Sequence, residues 1–279
     1  MQLPWKDELS KAVPSGQLTR LALHGEIWLN QVLDWIRVTQ FSQLQDLEMD
    51  NVEKSVMDEL VKVAIDGRLN NLLRLSLTGY SCLNTDGLLC ALRPLEALSL
   101  SYKLAHDGFA AISQVHGSSL RTLEFKPNDA TCYDINDLPR YCPNLQEAKI
   151  TMCRPSGDSR ESEGYHSLNS LRKLEILDLT LWTPDFTDDE MLRADALRLK
   201  EHLTNAFIDE NLAISIARIL FRGHRVLQKV RLRNRCDGDC DIISDDEEFL
   251  EIINVLGRDW ICSRSANNED EIVAWQTSP

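Results

Sequence analysis

The chain has 279 residues, of which 43% are hydrophobic and 27% charged, and a formal net charge of −14. These proportions belong to a folded protein, and no apolar run approaches the ~20 residues that a membrane span needs. The opening MQLPWKDELSKAV puts charges where an export signal holds its apolar stretch, and the acid surplus disfavours a nucleic-acid partner, whose phosphates call for cations.

In chain order, residues 1–17, with Leu3, Trp5 and Leu9, are expected to cap one end of the fold. A pattern Leu-x-x-Leu-x-Leu then begins, and each copy reads as a short strand because its last two apolar residues alternate with polar ones. The first copy is Leu18-Leu21-Leu23, and Trp28, Val32, Trp35 and Ile36 after it form a helical stripe. Next come Leu44-Leu47-Met49 and a helix over Lys54–Asp66, with Met57, Leu60, Val61, Ala64 and Ile65 on one face and Gly67 as its stop. The third copy is Leu72-Leu75-Leu77, followed by a helix with Leu88, Leu89 and Leu92 that Asn84, Thr85 or Asp86 can cap. Leu95-Leu98-Leu100 precedes a helix capped by Asp107 that buries Phe109, Ile112 and Val115. Leu120-Leu123-Phe125 and Leu145-Ala148-Ile150 follow, with only weak helical signals over 133–142 and 163–173. The last copies are Leu174-Leu177-Leu179 and Leu227-Val230-Leu232. Between them lies either a degenerate copy at Ala194-Leu197-Leu199 or a helical insertion over Asp188–His202. A helix over 206–221 then presents Leu212, Ile216, Ile219 and Leu220 on one face.

All 24 positions of the eight copies are apolar and 19 are Leu, and the copies start 26, 28, 23, 25, 25, 29 and 53 residues apart. That is the period and signature of a leucine-rich repeat. The expected fold is therefore an α/β solenoid over 18–235, an arc or horseshoe of about eight or nine repeats, with a parallel concave sheet and convex helices. Segment 236–279 changes character: it holds 12 acids and 2 bases, a balance of −10, which leaves −4 on the rest. An acidic linker over 237–248, a short helix Phe249–Leu256 and a hairpin of 260–264 with 271–275 across Asn267-Asn268 are expected there, the hairpin covering the other end of the array.

If the triplets point inward, the residues beside and between them line the concave sheet. That row is Arg20, Ala22 and His24; Asp46, Glu48 and Asp50; Arg74, Ser76 and Thr78; Ala97, Ser99 and Ser101. It continues with Thr122, Glu124 and Lys126; Glu147, Lys149 and Thr151; Ile176, Asp178 and Thr180; and Lys229, Arg231 and Arg233. Read along the chain the face is acidic near its start, small and hydroxylic in the middle and basic at its end, a gradient that can orient a charged protein or peptide. Tyr80, Tyr102 and Trp182 lie just past their triplets as aromatic anchors for such a partner. The basic end can also attract the chain's own acidic segment 237–248.

Other chemistry is thinly supported. Asp237, Asp239, Asp241, Asp245 and Glu248 have part of the spacing of a calcium loop, but Ile242 stands where that loop needs Gly. Cys236 and Cys240 lack a second pair of zinc ligands nearby, and Ser244 before acidic residues suits an acid-directed kinase. The eight Cys, which also include Cys82, Cys90, Cys132, Cys142, Cys153 and Cys262, are expected to be reduced, and most of them to be small apolar fillers. No nucleophile elbow, phosphate loop or His-Glu-x-x-His is present, so no catalytic residue, metal or cofactor is expected.

The irregular triplet spacing together with the block LTNAFIDENLAISIARILF over 203–221 resembles the fungal F-box and leucine-rich-repeat-like proteins. The resemblance implies the substrate-recognition subunit of a cullin-type ubiquitin ligase, whereas the concave face by itself leads to a non-enzymatic scaffold for a protein partner, and the charged N-terminus to one kept in cytoplasm or nucleus. With 17 residues ahead of the first triplet, the F-box itself is expected to be absent from this sequence. The acidic tail is also similar to that of leucine-rich-repeat GTPase activators, a more distant alternative. In leucine-rich repeats the position three after the third Leu is usually Asn or Cys; here it is Glu26, Val52, Tyr80, Lys103, Asn128, Cys153, Trp182 and Arg235, which predicts an irregular turn ladder.

Overall fold

The structure is a computed structural model and describes residues 18–78, 85–104, 112–127, 133–154, 159–182, 207–235, 258–268 and 271–277. It is a mixed α/β chain that divides into two compact units, Met1–Phe125 and Lys126–Pro279. Ten strands are described, most of them in parallel pairs.

In the first unit β1 (Arg20–Leu23), β2 (Asp46–Asp50), β3 (Arg74–Thr78), β4 (Ala97–Leu104) and β5 (Thr122–Pro127, whose last two residues pass into the second unit) follow one another in the sheet in chain order. Leu21 pairs with Leu47, Leu47 with Leu75, and Leu75 with Leu98, so the triplets of neighbouring strands lie in one register. In the second unit β6 (Glu147–Cys153), β7 (Ile176–Trp182) and β8 (Lys229–Arg235) are parallel, with Ala148, Leu177 and Val230 in register. Then β9 (Trp260–Arg264) pairs antiparallel with β8, and β10 (Ile272–Gln276) with β9. The chain thus ends in a hairpin, one residue later in its second strand than the sequence pattern places it.

Of the 24 triplet positions all but Leu18 and Leu23 are buried, and both exceptions sit in the first copy, where β1 ends the strand order. Burying one such side chain is worth roughly 1.5–3 kcal/mol, so no single copy offsets the ordering of its own residues and neighbours must stack. A backbone motif fixes the stacking. The carbonyl after the first triplet residue accepts two successive N–H groups of the next copy: Thr19 O from Gln45 (2.8 Å) and Asp46 (3.0 Å), Gln45 O from Leu73 and Arg74 (both 2.9 Å), and Leu73 O from Glu96 (2.8 Å) and Ala97 (3.1 Å). Glu96 O, Gln146 O and Glu175 O repeat it with 121 and 122, 175 and 176, and 228 and 229. The recurrence is geometric, because those carbonyls belong to Thr, Gln, Leu and Glu alike.

The helices are α1 (Leu29–Val38), α2 (Lys54–Ile65), α3 (Thr85–Ala91), α4 (Tyr133–Tyr141), α5 (Ser159–Asn169) and α6 (Glu210–Phe221), with a single π-turn at Ile112–His116. Helices α1, α2 and α3 pack in succession in the first unit, as do α4, α5 and α6 in the second. Helix α2 ends in a Schellman motif: Gly67, at φ +73°, donates to Ala64 O and Arg68 donates to Val63 O. Helix α6 starts at Asp209, whose carboxylate accepts from Leu212 N–H at 2.8 Å.

Several helical expectations shift. The face of α2 is Val56, Met57, Leu60, Val63 and Ala64, while Ile65 is 70% exposed and Val61 only half-buried. In α1, Val32 and Ile36 are buried, but Trp28 and Trp35 are exposed. The weak signals at 133–142 and 163–173 correspond to full helices, α4 and α5, the second starting at 159. Helix α6 begins at 210 rather than 206 and buries Ala213, Ala217 and Phe221 beside Ile216 and Leu220, with Leu212 and Ile219 only half-buried. Asn84, Asp107, Phe109, the segment 183–206, the acidic linker and the helix expected at 249–256 lie outside the described residues.

The inter-copy ladder runs through the turn before each strand. Two buried histidines carry much of it. His116 Nδ1 accepts from Leu95 N–H at 3.2 Å, which leaves Nε2 to donate to Leu89 O at 2.9 Å. His224 does the same with Leu227 N–H (3.1 Å) and Leu171 O (2.6 Å). Asn71 donates to Ser42 O, Ser119 to Leu95 O and Arg68 to Ile36 O. Burial holds His116 below its ordinary pKa of 6.5, although its bond to Leu89 works the other way. The unfolded chain therefore takes up the proton first, and this contribution to stability is complete above pH 6.5 and is lost as the pH falls below it. Denaturant midpoints measured from pH 7.5 down to 5.5 should fall with a shallower slope in His116→Gln than in the parent; equal slopes would remove His116 as the cause.

Candidate functional site

The strand face opposite the buried triplets is open, and the register assembles it into cross-strand rows. In the first unit one row is Arg20, Asp46, Arg74 and Ala97, and the next is Ala22, Glu48, Ser76 and Ser99. The Arg20 guanidinium lies 3.8 Å from Asp46 and 3.2 Å from Glu48, and Arg74 reaches Asp46 at 4.0 Å. Just beyond β1, His24 Nδ1 sits 2.8 Å from the Asp50 carboxylate, to which the Thr78 hydroxyl also donates. The Thr78 and His24 hydrogen bonds hold the Asp50 carboxyl below its usual value against the opposing effect of burial. Ser99 donates to Glu124 at 3.1 Å.

These contacts correct the expected gradient. The three carboxylates of β2 are each met by a cation or donor from a neighbouring strand, so the start of the face is a balanced lattice. Such exposed pairs contribute little stability, about 0–1 kcal/mol each. Their effect is to hold side chains in fixed positions.

In the second unit the rows are Glu147, Ile176 and Lys229; Lys149, Asp178 and Arg231; and Thr151, Thr180 and Arg233. The antiparallel strands extend the middle row through Ile261 to Trp275. Arg233 donates to Asp178 at 2.6 Å and Arg231 to Asp259 at 3.4 Å. Asp259 precedes β9 and has no counterpart in the repeat pattern, so sequence spacing gave no sign of it. Lys149, Lys229 and Ile176 are exposed.

The expected face residues whose side chains are described stand on this strand face, Thr180 buried within it and the others at least partly exposed; Lys126 belongs to β5 by its backbone. Of the aromatic anchors, Tyr80 lies outside the described residues, and Tyr102 and Trp182 are placed by backbone in β4 and β7. Trp275 and Val273, which the triplet pattern does not reach, are the exposed apolar residues of β10. The only advance signal for them is the alternation within EIVAW.

Burial raises the Cys142 thiol to about 11 and the Cys262 thiol to about 12, so both stay protonated and behave as apolar fillers. Among the described residues no group of His, Cys, Asp and Glu is arranged to hold a metal ion. The calcium-like and Cys236–Cys240 segments and Ser244 lie outside the described residues. Among the described residues no helix is long and apolar enough to cross a membrane. No protein-family model and no curated protein matches the chain.

Proposed function

We propose that this chain is a leucine-rich-repeat solenoid whose open strand face, its concave side, is a non-enzymatic docking surface for a protein partner in the cytoplasm or nucleus. The observation that carries this reading is the registered lattice of polar and charged side chains on that face. One to three come from each successive strand, and backbone steps of constant geometry hold the strands. A side chain fixed in this way loses less freedom on association than one on a loop, which favours binding.

Photo-crosslinking tests the proposal. A photoreactive residue at Ser76 or Ile176 should crosslink one defined protein from cell extract, and a charge reversal at Glu48 or Lys229 on the same face should abolish that product. The same probe at Glu59, on helix α2, should not give it. Crosslinking that is equal from Glu59 and from the strand positions would exclude the strand face as the docking surface.

A further inference from the structure

The two units treat charge differently. In the first, Arg20, Arg74 and His24 are joined to Asp46, Glu48 and Asp50 by contacts of 4.0 Å or less, and acids outnumber Lys and Arg on the face. In the second, Lys149, Lys229, Arg231 and Arg233 share the open face with Glu147 and Asp178. Asp178 is taken by Arg233, and Arg231 reaches sideways to Asp259. The cations outnumber the acids there even with Asp259 counted, in a protein whose net charge is −14. Lys229 stands exposed, and no acid bonds it among the described residues. Among the described residues the Nε–H donors of Arg231 and Arg233 are buried without an acceptor. An unmet donor of this kind carries a penalty of about 1–3 kcal/mol.

Beside this cationic patch is an apolar one. Ile261 pairs with Arg231 on one side and with Trp275 on the other, so the three side chains stand in one row on one face. Trp275 is 45% exposed, and Val273 is exposed two residues before it on the same face. From Arg231 to Trp275 is two strand spacings, about 10 Å, within the span of a few extended peptide residues.

Resting on the scaffold reading above, we propose that the open face of the second unit docks an acidic segment of another protein that carries a large apolar residue. Its carboxylates meet Lys229, Arg231 and Arg233, and its apolar side chain covers Ile261 and Trp275. Tryptophan and arginine are the residue types that most often dominate binding energy. The basic group supplies steering and salt dependence.

Fluorescence anisotropy with the intact chain tests this, using three labelled peptides of equal length: one of Glu and Leu, one of Glu and Ser, and one of Lys and Leu. The Glu–Leu peptide should bind saturably, and about tenfold more weakly when salt is raised from about 50 mM to about 300 mM. The Glu–Ser peptide should bind more weakly than the Glu–Leu peptide, and the Lys–Leu peptide should not saturate. Lys229→Glu and Trp275→Ser, both surface changes with an expected parental melting temperature, should each weaken Glu–Leu binding about tenfold. Preference for the Lys–Leu peptide, no saturable Glu–Leu binding, or Glu–Leu affinity unchanged in both variants would each overturn the proposal. If Glu–Leu binding fails while crosslinking from Ser76 and Ile176 persists, the acidic-segment assignment falls and the scaffold reading stands. If the peptide binds and the strand-face crosslinks fail, the reverse holds.

Discussion

Arg154→Met is expected to lower the unfolding free energy by about 3–5 kcal/mol. Arg154 follows β6, and its Nε lies 3.2 Å from the Glu161 carboxylate in the first turns of α5, with side chains only 8% and 7% exposed. The Tyr165 hydroxyl, one helical turn on, donates to the same carboxylate. Removing the guanidinium leaves Glu161 buried without its counter-charge, which costs far more than the intact pair contributes. Urea denaturation should show a lower midpoint at unchanged slope. The double variant Arg154→Met, Glu161→Leu should regain part of the loss, because a well-packed apolar pair avoids the desolvation of both ions. A single-variant loss below about 1 kcal/mol would show that Glu161 is not held by this contact.

Arg264→Ala should cost about 3 kcal/mol, concentrated at the C-terminal end of α6. One guanidinium nitrogen donates to Phe221 O at 2.7 Å and to His224 O at 2.6 Å, and the group lies 5.3 Å from the centre of the Phe221 ring. From the other side, Asn169 at the end of α5 donates to the carbonyls of Ile219, Leu220 and Arg222. The carbonyls that close the last turn of a helix have no partners within it; here two side chains from outside the helix supply them. Trp260 Nε1 donates to Ile208 O at 2.8 Å and ties the hairpin to the start of the same helix region. Hydrogen exchange in Arg264→Ala should accelerate over the last turn of α6 and over β9 while β6 and β7 keep their protection. Uniform acceleration through the second unit would mean that the hairpin and the repeats open as one.

What the sequence made legible follows from the size of each signal. The triplets place three apolar residues per copy on one face, a pattern strong enough to locate β1 to β8 and the register within β1–β4 and β6–β8. Helix α5, SRESEGYHSLN, is polar along most of its length, so no stripe announces it, and it is held by Tyr165, Leu168 and the Arg154–Glu161 contact. Faces shifted by a residue in α1 and α2 because an apolar residue at the margin of a stripe is covered only if the neighbouring copy reaches it; Ile65 and Trp35 lie beyond that reach. The consensus Asn or Cys after each triplet is mostly missing, yet inter-copy bonding is retained by His116, Ser119, Asn71 and His224 ahead of the triplets. A polar residue one to four places before a triplet was the available sign of it. The charge gradient misled because charges were read along the chain, whereas Arg20, Asp46 and Arg74 meet across it. Asp259 and Trp275 joined the face only through the antiparallel strands, whose register no repeat dictates.

The two-into-one backbone step also has a direction. In every described case the acceptor carbonyl belongs to the earlier copy and both donors to the later one, and the bonds that Asn71, Ser119 and the Nε2 atoms of His116 and His224 make to earlier carbonyls point the same way. Because each copy bonds the one just before it in the chain, a chain leaving the ribosome from its N-terminus can add copies as it emerges. Helix α6 breaks the rule, because Asn169 waits for carbonyls made some fifty residues later and Arg264 must reach back to finish the turn. Co-translational assembly should thus run steadily through the earlier copies and pause at this helix until the final hairpin is clear of the exit tunnel.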